Sequence, residues 1–345
     1  MTTKTMKTKH TYSFFILALL LLLCFVVNIS LGSVSIPFSE VIKSIFGNSD
    51  NESWQYIIQD YRLPKAFTAI LVGSGLGISG LLMQTLFRNP LAGPFVLGIT
   101  SGASLGVALV ILGSGLFGGV FASFLISKWT IVIAASLGSF LVLLAVLLVS
   151  SKVRDTMAIL IIGLMFGSIT AAIVSVLSYF SSAEQLQQYI FWGFGSLGNL
   201  SWNELIIFFG IYLLGILLAI FSIKALNTFL LGENYAKSLG LDVKKSRFII
   251  IIATSLLAGT ITAFAGPIAF IGLAIPHITR QIFNTSNHQL LLPAVFLFGA
   301  IVMLICDSIA QLPTSDYTLP INAITSLIGA PVVVWLLVRQ RKMVF

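Results

Sequence analysis

The sequence predicts an all-α integral membrane protein of about ten transmembrane helices, and three observations carry that reading. Of its 345 residues, 57% are hydrophobic and only 9% are charged, so a water-soluble domain would lack the polar side chains to cover itself. Apolar stretches recur at the ~20 residues a membrane-crossing helix needs, because backbone groups in lipid must be satisfied within the helix. The cations fall unevenly between alternate connections, as the positive-inside rule requires. Residues 1–345 therefore read as a single transmembrane domain, with a cytoplasmic tail at 1–12 and a polar cytoplasmic segment at 227–247.

The spans fall roughly at 13–33, 65–86, 94–113, 129–150, 156–180, 203–223, 248–266, 268–283, 290–311 and 321–338. With the N-terminus inside, fifteen cations face the cytoplasm, among them Lys4, Arg88, Lys152, Arg154, Lys237, Arg247, Arg339, Arg341 and Lys342. Only Lys43, Arg62, Lys65 and Lys128 lie outside. Both termini are then cytoplasmic, and the net charge of +8 follows from membrane orientation without invoking nucleic acid. Cys24 and Cys306 sit in apolar runs, where a thiol acts as a small hydrophobe, and neither disulfide nor metal-ligand spacing is present. The apolar run after Lys4, Lys7 and Lys9 lacks a small-x-small cleavage site, so it reads as a retained first span.

Residues 35–61 form an acidic outer loop that ends in Arg62-Leu63-Pro64-Lys65. Proline suits a helix's first turn, so the second span starts here, its two cations able either to meet an acidic partner or to snorkel at the interface. Gly73 and Gly77 in this span have the small-xxx-small spacing that lets helices approach closely. Residues 75–80 match G-x-G-x-x-G, but no strand precedes them and no acidic residue follows at ribose spacing. Gly77-Ile78-Ser79-Gly80, with His277, also has the residues of an intramembrane serine protease. Pro90 and Pro94 flank an inner turn, and the glycines after it thin the third span, pointing to a translocation pathway. The seventh span runs into Ala265-Gly266-Pro267, echoing Ala92-Gly93-Pro94, and Pro276 interrupts the eighth. Asp307, the one carboxylate more than a residue inside a span, must face protein or water.

Between spans six and seven stands a charged island, FLLGENYAKSLGLDVKKSR, at 229–247. Leu231, Tyr235 and Leu239 recur at helical spacing beside a stripe of Gly232, Ala236 and Gly240, and Glu233 pairs with Lys237 at i,i+4. This predicts a short amphipathic helix lying flat on the cytoplasmic surface with a small face open to docking. Gly240 suits its left-handed C-cap, and Asp242 suits the N-cap of the next helix.

These motifs together resemble the permease subunit family of bacterial type II ABC importers for iron-siderophores, haem and cobalamin. The resemblance is carried by RLPK at 62–65, GLLMQTLFRNPLAGPFVLGITSGASLG at 80–106 and LGENYAKSLGLDV at 231–243. GPIAFIGLAIPHITR at 266–280, CDSIAQ at 306–311 and LPINAITSLIGAPVVVWLL at 319–337 follow in the family's order. It implies ten spans per subunit and a dimer with a second copy or a homologue. The island would be the coupling helix docked on a pair of cytoplasmic P-loop ATPases, through Gly232, Glu233, Ala236, Leu239 and Gly240. Arg62 and Lys65 would receive glutamates of an extracytoplasmic substrate-binding protein. Lysine at 65 lacks the bidentate fork of the family's arginine, and a third arginine expected late in span nine is Gln311 here. Asn89, Pro90 and Leu91, with Thr156 and Met157, would form the cytoplasmic gate.

The chain has no G-x-x-x-x-G-K-[ST], so it is read as a non-catalytic subunit without cofactor or metal that borrows hydrolysis from a partner. The expectation is an importer permease in the bacterial cytoplasmic membrane, embedded in lipid. Its competitors are an ion-coupled secondary transporter, on the strength of Asp307 and the broken helices, and the serine protease.

Overall fold

A computed structural model of the protein describes residues 3–116, 127–150, 156–312, 315 and 317–338. The outer turn expected at 114–128 falls largely outside the described residues, as do Lys152, Arg154, Arg339, Arg341 and Lys342. The elements are α1 (Thr3–Ser30), α2 (Phe38–Ile45), α3 (Glu52–Tyr56), α4 (Leu63–Leu86), α5 (Ile99–Ile111), α6 (Lys128–Ser150), α7 (Thr156–Tyr179) and α8 (Ala183–Gly193). Then come α9 (Trp202–Phe221), α10 (Ile223–Phe229), α11 (Glu233–Ser238), α12 (Val243–Ala265), α13 (Ile271–Phe283), α14 (His288–Ala310) and α15 (Ile321–Val338).

Each of the ten apolar stretches falls on a helix. Among the described residues seven helical stretches are long and apolar enough to cross a bilayer; in the most apolar 18 residues of Glu52–Leu86, 89% are buried, and in those of Thr11–Ser30 only 11%. The first therefore lies within protein, while α1 turns Phe15, Leu19, Leu22 and Leu23 outward. The other three, α5, α13 and α15, have 13, 13 and 18 residues.

Two local expectations are corrected. Pro64 does not open its helix: the chain is helical from Glu52, capped by Asn51, whose Oδ1 accepts from the backbone of Ser53 and Trp54. A π-helical turn at Ile57–Arg62, with Leu63 N–H bonding the Ile58 carbonyl, joins α3 to α4 and absorbs the missing proline donor. Pro276 does not break the eighth span either, because it sits inside α13. The break comes earlier, where Gly266 (φ +76°) and Phe270 (φ +66°) leave helical geometry. The other Ala-Gly-Pro behaves alike: a 3₁₀ turn at Pro94–Leu97 and left-handed Gly98 (φ +73°) precede α5.

The chain divides into two compact units. The first comprises Met1–Leu81, Ser196–Gly210 and Ala269–Phe345. Within it, α1 packs on α14, and α13 packs on α14 and α15. The N-terminal part of α4 meets these helices backbone to backbone. A Cβ on Gly73 would strike the Gly299 carbonyl of α14, and one on Gly80 would strike the Gly272 carbonyl of α13. Gly272 is four residues before Pro276, whose missing N–H leaves that carbonyl without its usual helical donor. Gly80 lets α4 close on it, in the manner of a Cα–H···O contact.

The second unit comprises Leu82–Gly195 and Ile211–Ile268. Here α5 and α6 meet through Gly102 against Gly138 and Gly106 against Ala134, and Gly163 of α7 packs against the Val96 carbonyl. α12 packs along α6 and α5, and Ser139 Oγ of α6 donates to the Ile99 carbonyl (2.9 Å). Small residues where backbones touch are what membrane helices need, since lipid supplies no hydrophobic drive between them.

The close approach at Gly80 has a direct consequence. Gly80→Val should prevent a monodisperse, folded protein, because a branched side chain there meets rigid backbone, a worse case than the ~1–3 kcal/mol of ordinary overpacking. Size-exclusion chromatography in detergent checks it, with Val72→Ala in the same helix expected to remain monodisperse.

Candidate functional site

Two clusters of polar residues stand out, one in each unit. In the second unit the charged island folds as α10, α11 and the start of α12. α11 ends in a Schellman motif: Leu241 N–H bonds the Ala236 carbonyl (3.0 Å), Gly240 N–H bonds the Lys237 carbonyl (2.9 Å), and Gly240 is left-handed (φ +81°). Asp242 Oδ1 accepts from Lys245 N–H (3.0 Å) and caps α12. Both caps are as the sequence predicts. Glu233 pairs with Lys237 (3.2 Å) and also with Arg247 (3.2 Å), a contact across 14 residues that helical spacing could not disclose.

The two stripes of α11 face opposite ways. Ala236 is fully buried and Gly232 lies under Arg88, so these two small residues pack inward, while Gly240 stands in open space at the end of the helix. Leu231, Tyr235 and Leu239 are 61%, 54% and 60% exposed. The open face of this helix is therefore its apolar stripe, held out from the chain by two caps and two ion pairs.

In the first unit, Asp307 near the end of α14 is the centre of a buried cluster. Its Oδ1 accepts from Lys65 Nζ of α4 (3.1 Å), and its Oδ2 accepts from Asn28 Nδ2 of α1 (2.9 Å) and Gln311 Nε2 (2.8 Å). The side chains of Lys65 and Asp307 are only 11% and 3% exposed. Asn28 was missed in the sequence, although an amide inside an otherwise apolar span is a signal in itself. Arg62 is also buried: Nη1 donates to the carbonyls of Ile29 (2.9 Å) and Ser30 (3.0 Å), and Nη2 donates to that of Val34 (2.6 Å). Gly32 makes room for it, since a Cβ there would meet the guanidinium at 2.6 Å. A cavity of about 180 Å³ opens beside Arg62, Lys65, Asn28 and Gln311.

The turn after α4 is tight. Arg88 takes a positive φ (+47°), Asn89 Oδ1 accepts from Leu91 N–H (2.9 Å), and Leu91 projects outward. Thr156 and Met157 begin α7, their side chains outside the described residues. Ser79 is fully buried and donates its proton to the Gly75 carbonyl (2.7 Å), which is the back-bonding of a structural helix serine and not the setting of a nucleophile.

Helices broken beside the bilayer, spans that touch through glycine and a capped charged helix with an exposed apolar face define a multi-pass membrane transport protein. Residues 20–339 match the FecCD transport family, and the chain belongs to that family. It is the non-catalytic, membrane-spanning permease of an ABC importer. The chain is 36% identical over 327 residues to the vitamin B12 import system permease protein BtuC of Klebsiella pneumoniae, covering 94% of this chain and 93% of that one. It is 32% identical over 333 residues to the hemin transport system permease protein HmuU of Yersinia pestis, covering 95% of each. The solved structure of a metal-chelate type ABC transporter in an inward-facing conformation superposes with a TM-score of 0.82 at 34% identity, covering 95% of this chain and 99% of that one.

The buried pair makes Asp307 a stability determinant. Asp307→Ala should destabilise the detergent-solubilised protein by about 3 kcal/mol, because it strands the Lys65 ammonium. Lys65→Met combined with Asp307→Leu should recover most of that loss. Thermal denaturation of the two variants beside wild type reads both effects.

Proposed function

We propose that this permease moves an iron-siderophore, haem or cobalamin-type compound inward across the bacterial cytoplasmic membrane. Its relatives, permeases of vitamin B12 import and hemin transport, support that substrate class. All ten apolar helices cross the bilayer in this reading, with both termini in the cytoplasm. Two copies, or this chain and a homologue, enclose the path, a pair of P-loop ATPases docks from the cytoplasm, and a substrate-binding protein delivers cargo from the opposite side.

The observation that carries the proposal is the solvent-exposed stripe of Leu231, Tyr235 and Leu239. Three large apolar side chains on and flanking a six-residue helix need a partner, and they lie beside the +2 balance of Lys244, Lys245, Arg247 and Lys237 against Glu233 and Asp242. The ATPase would grip this stripe and the open turn at Gly240, while Gly232 and Ala236 seat the helix on the permease and Glu233 locks it to Arg247. Its motion would pass through α12. Asn89, Pro90 and Leu91, with Thr156 and Met157, would form the gate at the same end of the path.

Arg62 and Lys65 would mark the binding-protein side. Arg62, committed to three carbonyls, shapes the rim there. Lys65 meets an incoming glutamate by exchanging Asp307 for it, and Gln311 stands ready to keep the Asp307 carboxylate hydrogen-bonded.

A Leu231→Asp, Leu239→Asp double variant tests the coupling surface. Both side chains are exposed, so the fold should persist, with an unchanged melting temperature. Retention of the ATPase through affinity purification of the tagged permease should fall about tenfold or more, as expected for the loss of apolar anchors. Full retention would refute this docking face.

A further inference from the structure

The second unit holds a groove of about 1620 Å³ that takes in Leu231 and Tyr235 of the proposed docking stripe and extends to Arg88 and the end of α6, which the transport reading leaves unassigned. One wall is the last two turns of the membrane-crossing part of α6, with Leu144 and Leu148 at 40% and 62% exposure, faced by Phe248 of α12 at 53%. The other wall is cationic: Arg88, Lys237, Lys244 and Arg247 line it against the single carboxylate of Glu233. Glu233 already serves Lys237 and Arg247. Arg88 and Lys244 make no ion pair among the described residues, and the Nε of Arg247 is buried with no hydrogen-bond partner.

We infer that this groove binds one anionic phospholipid, its phosphate held between Arg88, Lys244 and Arg247 and an acyl chain laid along Leu144, Leu148 and Phe248. The charge excess requires an anion, and guanidinium groups suit phosphate oxygens in a bidentate geometry. The apolar wall requires that the anion carry a hydrocarbon tail, and its place at the end of a membrane-crossing helix sets headgroup depth. A free phosphate satisfies only the first demand. An acidic protein segment would leave the lipid-facing leucines of α6 uncovered. A bound lipid would brace Arg247, and through it Glu233 and α11, so the set of the helix would respond to the membrane's content of anionic lipid.

Native mass spectrometry of the detergent-solubilised full complex, titrated separately with dioleoylphosphatidylglycerol and dioleoylphosphatidylcholine, tests this. One phosphatidylglycerol should remain bound per chain, with phosphatidylcholine bound at least about tenfold more weakly. Arg88→Ala combined with Lys244→Ala, which leaves both Glu233 ion pairs intact, should weaken phosphatidylglycerol binding by about tenfold and leave phosphatidylcholine unchanged. Millimolar glycerol 3-phosphate should not displace the lipid. Equal retention of the two lipids, unchanged binding in the variant, or displacement by glycerol phosphate would each overturn the assignment. Lipid bound by the permease alone but absent from the full complex would give the groove to the ATPase instead.

Discussion

In a bilayer two helices gain little by excluding lipid from each other, so what holds them is contact close enough for dispersion and weak Cα–H···O bonds to matter. The rest of this structure depends on that constraint. Gly73 and Gly80 of α4 let it touch α14 and α13 at Gly299 and Gly272. Gly102, Gly106 and Gly138 do the same for α5 and α6. A helix stripped of side chains at its contacts has little else to keep its register. It is at such backbone contacts that prolines become tolerable: Pro276 frees the carbonyl that Gly80 meets.

The second constraint is that charge in or near the membrane must be satisfied internally. Asp307 has three donors from α1, α4 and the end of its own helix, and Arg62 spends its guanidinium on two carbonyls of the last turn of α1 and one just beyond it. Arg62 looks from its chemistry like a surface recognition group, yet in this structure both residues are structural fasteners. That changes the sense of a carboxylate within a span. An ion-coupled carrier needs a carboxylate that binds a diffusible ion, whereas the charged partner of Asp307 is a lysine side chain of the same protein.

Much of this was legible in the sequence, for identifiable reasons. Long apolar runs disclose helices because lipid admits few alternatives, and all ten were placed. Local capping chemistry was equally open: Gly240 and Asp242 are fixed by rules spanning four to six residues. What stayed hidden was contact between distant segments. Nothing near Asp307 announces Lys65 or Asn28, and nothing near Glu233 announces Arg247. The stripes of α11 were visible as stripes, but which of them faced inward depended on what lay behind Ala236. The π-helical turn that carries Pro64 inside a continuous helix was likewise illegible, because a proline after polar residues reads as a beginning.

In the proposed function a small, capped helix, seated through Ala236 on a glycine-packed membrane body, takes up force from a motor in the cytoplasm. The side of the membrane on which that helix lies tests the claim most directly. Lys237→Cys, in a background with Cys24 and Cys306 replaced by alanine and serine, can be labelled in whole cells or spheroplasts with a membrane-impermeant maleimide. The account predicts labelling only after the membrane is permeabilised. Labelling of intact spheroplasts would place α11 away from any source of ATP and would contradict it.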